Sequence, residues 1–288
     1  MDMTLLKVIV LAIVQGLAEL LPVSSSAHVV VAEKLMGLDP SSPPMTLLLV
    51  MLHTGTMVAV IGYFWRDWRA VYFHSAGACK SFVWLVAVAT FLTGVIGEGI
   101  IKLIERTVLR DVPHAQIEDL FSHLEFIAPA LGAAGILIIV AGLYERRRRA
   151  LQPAELTVRR AGIIGAVQGL CLPFRGFSRS GATISTGMLL GVARSRAEAF
   201  SFALAVVLTP PVVAREAMRL VRAAQQGGGG ELAPVVWLTV VGAVVALLSG
   251  LLALRWLSRW LEGGRWYYFG IYCLVASAVV NVLYHAGY

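Results

Sequence analysis

VQGLAELLPVSSSAH, residues Val14–His28, decides how the rest of the chain is read. It starts as a membrane helix would, apolar with small residues. It then carries a carboxylate (Glu19), a helix breaker (Pro22), three serines and a histidine. Gln15 and Glu19 are four apart and share one helix face. A carboxylate at membrane depth is costly and marks function by default, the bland alternative being a Glu paired across a helix interface. Proline ends a helix, and a serine just ahead of the next one is an ordinary N-cap. A helix start also presents free N–H groups and positive potential, a place for phosphate.

The surroundings are those of a membrane protein. The 288 residues are 58% hydrophobic and 14% charged, with a mean hydropathy of +0.78. Soluble domains carry about 25% charged residues. The net charge of +7 sits in short connections between apolar runs. That is the pattern of cytoplasmic loops meeting anionic lipid, so membrane lipids and not nucleic acid are the expected partners. Cys79, Cys171 and Cys273 lie far apart, which argues against a disulfide framework or a zinc site. The apolar start is read as mature structure, because Gln15, Glu19 and the serines follow it at once.

Six stretches lack Asp, Glu, Lys and Arg and predict membrane spans: Pro40–Trp65, Ser81–Gly97, Phe126–Tyr144, Ala199–Ala214, Leu232–Leu254 and Trp266–Tyr288. Pro210-Pro211 should kink the fourth. Two further segments read as half-helix, polar break, half-helix. Thr4–Leu21 stops at Pro22 and is followed by a short apolar piece, Val29–Leu38. Ala161–Leu172 stops at Pro173 and is followed by Ala182–Ala193. Such a segment enters and leaves by one side, and protein or water must surround its break.

The two broken segments resemble each other. Val14-Gln15-Gly16-Leu17 recurs as Val167-Gln168-Gly169-Leu170, and Ser25 and Ser178 each lie ten residues after the glutamine. The expected fold is therefore an all-α polytopic membrane protein with an inverted-topology internal repeat: six transmembrane helices plus two re-entrant helix pairs. Residues 1–288 form one membrane domain, with repeats at about 1–125 and 155–288 joined by a helix and a basic loop. Paired interrupted segments point to a site between the halves. Arg146–Arg149, with Arg159 and Arg160, place that loop in the cytoplasm. Arg66–Lys80, Arg194–Arg196 and Arg255–Arg265 then also fall inside, while Ile104–Glu125 and Arg222–Glu231 fall outside. Arg106, Arg110, Arg219 and Arg222 run against this scheme. Gly227–Gly230 reads as a flexible loop.

One break supplies an acid, hydroxyls and an imidazole. The other supplies Arg179 between Ser178 and Ser180, with Gly181 permitting close backbone approach. Arg offers planar donors to phosphate oxygens. Arg175 is readable either as a second such group or as a surface arginine. His28 is readable as an interfacial histidine or as the base for Ser25 or Ser26. A carboxylate able to hold a divalent cation, opposite an arginine, suits phosphoryl transfer on an amphiphilic phosphate.

QGLAELLPVSSSAH and GFSRSGATISTG resemble the two signature motifs of the bacterial undecaprenyl-diphosphate phosphatases of the bacitracin-resistance type, over nearly the whole chain. The resemblance implies a hydrolase of the bacterial inner (cytoplasmic) membrane. It removes the terminal phosphate of undecaprenyl diphosphate, recycles the cell-wall lipid carrier and confers bacitracin resistance. Its site opens toward the periplasm, and a divalent cation (Mg2+ or Ca2+) assists. A homodimer is possible for such a protein. Glu19, Ser25, His28 and Arg179 take the catalytic positions. Ser24, Ser26, Ser178, Ser180, Gly181 and Thr183 are expected to bind substrate, and Glu19 with Gln15 to hold the metal. The nucleophile is left open between Ser25, His28 and water. Four positions depart from the family pattern. Gln15 stands where many members have Glu, Ala27 replaces a glycine, Arg175 lies where proline is expected, and His53 lies where Gln is frequent.

Two other functions compete. The other large class of lipid phosphatases needs a histidine after its Ser-Arg, and SGATISTG has none. A lipid-carrier flippase or transporter, with or without hydrolysis, would also use inverted repeats and broken helices. Phosphate release without a gradient separates the two.

Overall fold

The computed structural model describes all residues except 1–2, 40–41, 108–122, 149–151, 224–231, 262–264 and 288. Gly227–Gly230, Arg110 and Arg149 lie outside the described residues. Ten helices are present among those described: α1 Leu5–Leu20, α2 Ser25–Leu35, α3 Pro43–Val71, α4 Ala76–Thr107, α5 Leu124–Arg148, α6 Val158–Cys171, α7 Arg179–Leu189, α8 Arg194–Ala223, α9 Leu232–Leu261 and α10 Tyr267–His285. They contain no strand beyond one isolated bridge between Ala154 and Val192.

Among the described residues five helices are long and apolar enough to cross a membrane: α3, α4, α5, α9 and α10. The segment Ala199–Ala214, expected as a sixth span, belongs to the 30-residue α8, which runs through both Pro210 and Pro211. Charged residues near both ends of α8 lower its hydropathy, while Phe200–Ala205 in its first half are buried by neighbours. The outside of the molecule is apolar. Leu6, Trp84, Phe91, Trp237, Leu252 and Val282 are all more than half exposed, as they would be against lipid. The chain is a multi-pass membrane protein.

The broken segments form short helices. At 1.5 Å per residue, α1 (16 residues) is about 24 Å long, and α2 and α7 (11 each) about 16 Å. A bilayer core is about 30 Å thick. Thr4 caps α1 through the Lys7 N–H, and Thr157 caps α6 through the Arg160 N–H. Proline two residues past each helix end stops both. α1 exposes Leu6, Val10, Ile13 and Leu17 on one side and buries Leu11, Ala12, Gln15 and Gly16 on the other. Its polar residue therefore faces protein.

The packing of the two short pairs is parallel in detail. α1 lies on α9, and α6 lies on α4. Ser249 of α9 donates to the Ala12 carbonyl, and Thr93 of α4 donates to the Gly165 carbonyl. Small residues allow this approach. A Cβ on Gly16 would collide with the Ser249 hydroxyl and lie 2.8 Å from the Ala246 carbonyl. α5 and α10 pack through a glycine pair, Gly135 and Gly270. α7 is enclosed by α5, α6 and α8, so that every residue from Ser180 to Met188 is buried.

A cleft where the two polar breaks meet

Pro22 forces Leu21 into extended backbone, and the chain turns back through Ser24. Ser24 sits at φ 66°, the one non-glycine residue with positive φ among those described. That conformation costs about 1–2 kcal/mol for an L residue. Two contacts hold it. The Ser24 carbonyl accepts from His28 Nδ1 at 2.7 Å, and its hydroxyl lies 3.3 Å from that of Ser26. Ser24 makes no side-chain cap on α2, so the first N–H groups of α2 keep no side-chain acceptor there. Ser178 does cap α7, accepting from the Gly181 N–H at 3.1 Å.

Glu19 is the hub. Its side chain is 11% exposed, at the last turn of α1. Oε1 accepts from Arg179 Nη2 at 2.5 Å. Oε2 accepts from the Ser25 hydroxyl at 2.5 Å and from Gln15 Nε2 at 3.0 Å. His53 Nε2 of α3 lies 3.5 Å from the same oxygen. A second tie between the breaks runs from the Ser180 hydroxyl to the Leu21 carbonyl, 3.4 Å. The cleft in front of these groups has a volume of about 250 Å³. Glu19, Ser24, Ser25, Ser26, His53, Arg175, Ser178, Arg179 and Ser180 line it, with Leu172, Phe174 and Phe177.

His28, expected as base or nucleophile, does not line the cleft. Its Nδ1 meets the Ser24 carbonyl, and its Nε2 meets the Tyr272 hydroxyl at 2.7 Å. The ring stacks on Tyr272 at 11° and 5.6 Å. Both nitrogens are used in holding the serine turn against α10. The imidazole in the cleft is His53. Its Nδ1 donates to the Leu49 carbonyl at 2.8 Å, which turns Nε2 toward Glu19. The sequence signal for His53 was a polar side chain inside an apolar span.

Two expected substrate-binding residues also stand elsewhere. Thr183 is fully buried, its hydroxyl shared between the Arg179 carbonyl and the Ser201 hydroxyl on α8. Gly181 is buried behind Ser178, its N–H spent on the cap. Both support α7 from behind. The piece Val29–Leu38, expected to be apolar, contains a fully buried carboxylate, Glu33.

The donor set suits a cation only in a limited way. No group of three or more His, Cys, Asp or Glu able to hold a metal exists among the described residues. Among the described residues Glu19 is the sole carboxylate lining the cleft. Gln15 Oε1 is buried without a hydrogen-bond partner. The same orphan occurs at Gln168, whose counterpart of Glu19 is Leu172, so it is not evidence of a ligand. These residues fit a cation shared between one carboxylate and the oxygens of a phosphorylated ligand, the usual manner for Mg2+.

Comparison with known proteins agrees with this architecture. The family model described as bacitracin resistance protein BacA matches residues 8–279. Undecaprenyl-diphosphatase 2 of Acinetobacter baylyi is 55% identical over 284 residues, covering 98% of each chain. Undecaprenyl-diphosphatase 2 of Burkholderia ambifaria is 31% identical, covering 96% of this chain and 95% of the relative. The undecaprenyl-diphosphatase of Halothermothrix orenii is 31% identical, covering 98% of each. With both signature breaks joined in one cleft and the match running nearly end to end, the chain belongs to the bacitracin resistance protein BacA family.

Proposed function

We propose that the chain is an undecaprenyl-diphosphatase, a membrane hydrolase that converts undecaprenyl diphosphate to undecaprenyl phosphate and inorganic phosphate. One observation carries the reading. Arg179 from the second break and Ser25 from the first lie on opposite oxygens of Glu19, inside a cleft with an apolar rim.

In this reading the diphosphate draws the Arg179 guanidinium from Glu19 onto its terminal phosphate. The uncapped N–H groups at the start of α2 help to hold that phosphate. Ser25 Oγ attacks the terminal phosphorus, and its proton passes to Glu19 Oε2, the oxygen it already touches. The bond from phosphorus to the bridging oxygen breaks, and its electron pair leaves with the lipid monophosphate. Water then cleaves the phosphoserine, releasing inorganic phosphate and restoring the hydroxyl. As the phosphorus–Oγ bond breaks, Glu19, with His53 beside it, returns its proton to Ser25 Oγ, and the water's protons leave with inorganic phosphate. A divalent cation, held by Glu19 together with phosphate oxygens, would supply neutralising charge.

The same reading sets the arrangement in the membrane. α1–α2 and α6–α7 are re-entrant pairs in two inverted repeats, supported by the matched caps and the matched hydroxyl contacts of α9 on α1 and α4 on α6. α8 completes six spans. The basic end of α5 lies in the cytoplasm of a bacterial inner membrane, and the cleft opens to the periplasm. Recycling of the cell-wall carrier and bacitracin resistance follow from the activity.

Detergent-purified protein should release phosphate from undecaprenyl diphosphate with no gradient present, and a chelator should slow it. No release from well-folded protein refutes the assignment.

A further inference from the structure

α5 ends in a basic run whose members differ in burial. Arg146 and Arg147 are exposed, whereas Arg148 is half-buried. Arg148 lines a second cavity of about 250 Å³, which shares no residue with the cleft. α5 also contributes Tyr144 and Glu145 to it, and the end of α7 with the turn that follows contributes Met188, Gly191 and Val192. The Ala154 N–H donates to the Gly191 carbonyl at 2.8 Å and so ties the incoming chain to that turn. At 1.5 Å per residue, Met188 stands about 14 Å along α7 from Arg179.

The polar groups of this cavity keep hydrogen-bonding capacity in hand. The Arg148 guanidinium spends one N–H on the Tyr144 hydroxyl, at 3.0 Å, and lies over the Tyr144 ring at 5.4 Å. Among the described residues no carboxylate pairs with it. Its other N–H groups and the Tyr144 O–H remain for an acceptor. A Cβ at Gly191 would stand 3.0 Å from Arg148 Nη1, so the glycine leaves the guanidinium its place. Glu145 meets Arg194 at 3.3 and 3.4 Å, and both its oxygens keep lone pairs for a further donor. Met188 and Val192 add buried apolar surface. One small space thus offers donors to a phosphate and acceptors to an ammonium.

Its depth identifies the source of such a ligand. The charge-free stretch Phe126–Tyr144 makes about 28 Å of helix, close to the thickness of a bilayer core, about 30 Å. Tyr144, Glu145 and Arg148 therefore lie where hydrocarbon gives way to headgroups. The neighbouring Arg146 guanidinium lies 5.5 Å from the centre of the Tyr267 ring, the pairing of basic and aromatic side chains found at a membrane interface. Pockets that enclose a drug-sized ligand run to about 300–1,000 Å³. This one is smaller, enough for a headgroup whose chains stay outside among other lipids.

We infer that this cavity binds the headgroup of one zwitterionic aminophospholipid, such as phosphatidylethanolamine. The phosphodiester meets Arg148 and the Tyr144 hydroxyl, and the ammonium meets Glu145. Every phospholipid brings the phosphate, so Arg148 supplies affinity. A primary ammonium alone brings both positive charge and N–H donors to Glu145, so Glu145 supplies the choice of lipid. A choline headgroup has the charge without the donors, and a glycerol headgroup lacks the charge. The bound headgroup bridges α5 to the far end of the helix that begins at Arg179. It takes no part in the reaction proposed for the cleft.

The test uses full-length protein in detergent. It is titrated with dioleoyl phosphatidylethanolamine, phosphatidylcholine or phosphatidylglycerol, and bound lipid is counted by native mass spectrometry. Wild type should take up one phosphatidylethanolamine about tenfold more tightly than either other lipid. Arg148→Ala should weaken all three about tenfold or more, the loss of one charge-assisted contact. Arg148→Gln keeps more of the bulk and reads the same effect if the alanine variant folds poorly. Arg147→Ala removes an exposed arginine one residue away and should change binding by no more than about twofold. Glu145→Gln should bring phosphatidylethanolamine to the level of phosphatidylcholine, a ratio read within one variant and so independent of its stability. Saturating phosphatidylethanolamine should raise the melting temperature of wild type and leave that of Arg148→Ala where it was. Equal binding of the three lipids by wild type, or a preference for phosphatidylglycerol, overturns the inference. So does Arg147→Ala weakening binding as much as Arg148→Ala, or a phosphatidylethanolamine preference that survives in Glu145→Gln. Displacement of the lipid by millimolar inorganic phosphate assigns the cavity to a soluble anion and overturns it as well.

Discussion

Replacing Glu19 by glutamine tests the hub of the cleft with least change of shape. The carboxylate now accepts from three donors, Arg179, Ser25 and Gln15, and has His53 close by. A glutamine offers one oxygen where the carboxylate offered two. Its NH2 group would meet either the guanidinium or the donors Ser25 and Gln15. Hydrogen bonds to charged groups contribute about 1.5–3 kcal/mol each. Removing one partner of a buried pair costs about 3–5 kcal/mol, and the 27% exposure of Arg179 moves the expected loss to the lower end of that range. For turnover, loss of the proton acceptor for Ser25 should lower kcat by about 10²–10⁴, or roughly 2.7–5.5 kcal/mol of barrier. Phosphate release from undecaprenyl diphosphate by purified protein measures the rate. Thermal unfolding in the same detergent measures the stability. A folded Glu19→Gln protein with kcat within tenfold of wild type would refute Glu19 as the acceptor.

Other substitutions separate the two histidines and probe the packing. His53→Ala should lower kcat by about 10–100-fold with little change in unfolding temperature, because it removes only the neighbour of Glu19; an unchanged pre-steady-state rate would take His53 out of the chemistry. Tyr272→Phe removes the hydrogen bond on His28 Nε2 but keeps the stack, so turnover should stay within about threefold and unfolding should fall by about 2–4 °C; a loss above a hundredfold would return His28 to the reaction. Gly135→Val puts side-chain carbon against the Gly270 carbonyl, where even a Cβ would lie at 2.8 Å, and should destabilise the α5–α10 pair by about 1–3 kcal/mol, read from the detergent melting curve. Arg194→Ala strands Glu145 and Glu198, which it meets at 3.3 and 3.4 Å, and should lower the melting temperature while leaving KM for the lipid diphosphate unchanged.

Much of this site was legible because its signals are local. Pro22 and Pro173 each end a helix wherever they stand. The four-residue spacing of Gln15 and Glu19 fixes a shared face, and the structure joins them by a hydrogen bond. Arg179 drew attention as a cation in a serine turn. What stayed hidden depends on distant partners. His28 is turned aside by Tyr272, 244 residues further on. Thr183 is claimed by Ser201, and no local pattern says which side of a fully enclosed α7 faces the cleft. Glu33 was lost inside a run scored as apolar, because hydropathy averages away one carboxylate among valines. The full length of α8 exceeds its charge-free stretch for the converse reason. Charge-free length locates lipid contact, whereas Ala199–Ala205 in the first half of α8 are shielded by protein.

The contact between Arg179 and Glu19 also bears on what the cleft will accept. At rest the guanidinium is already satisfied by a resident carboxylate, which behaves as a built-in mimic of the ligand's own oxygen. Any incoming group must displace that mimic. A lone carboxylate or sulfonate on a passing lipid brings no more charge than Glu19 and gains little by the exchange. A terminal phosphate carrying close to two negative charges offers the guanidinium more than Glu19 does. On the proposed reading the pair would work as a threshold, keeping the cleft electrically quiet among abundant singly charged headgroups and releasing Arg179 only to a more highly charged one.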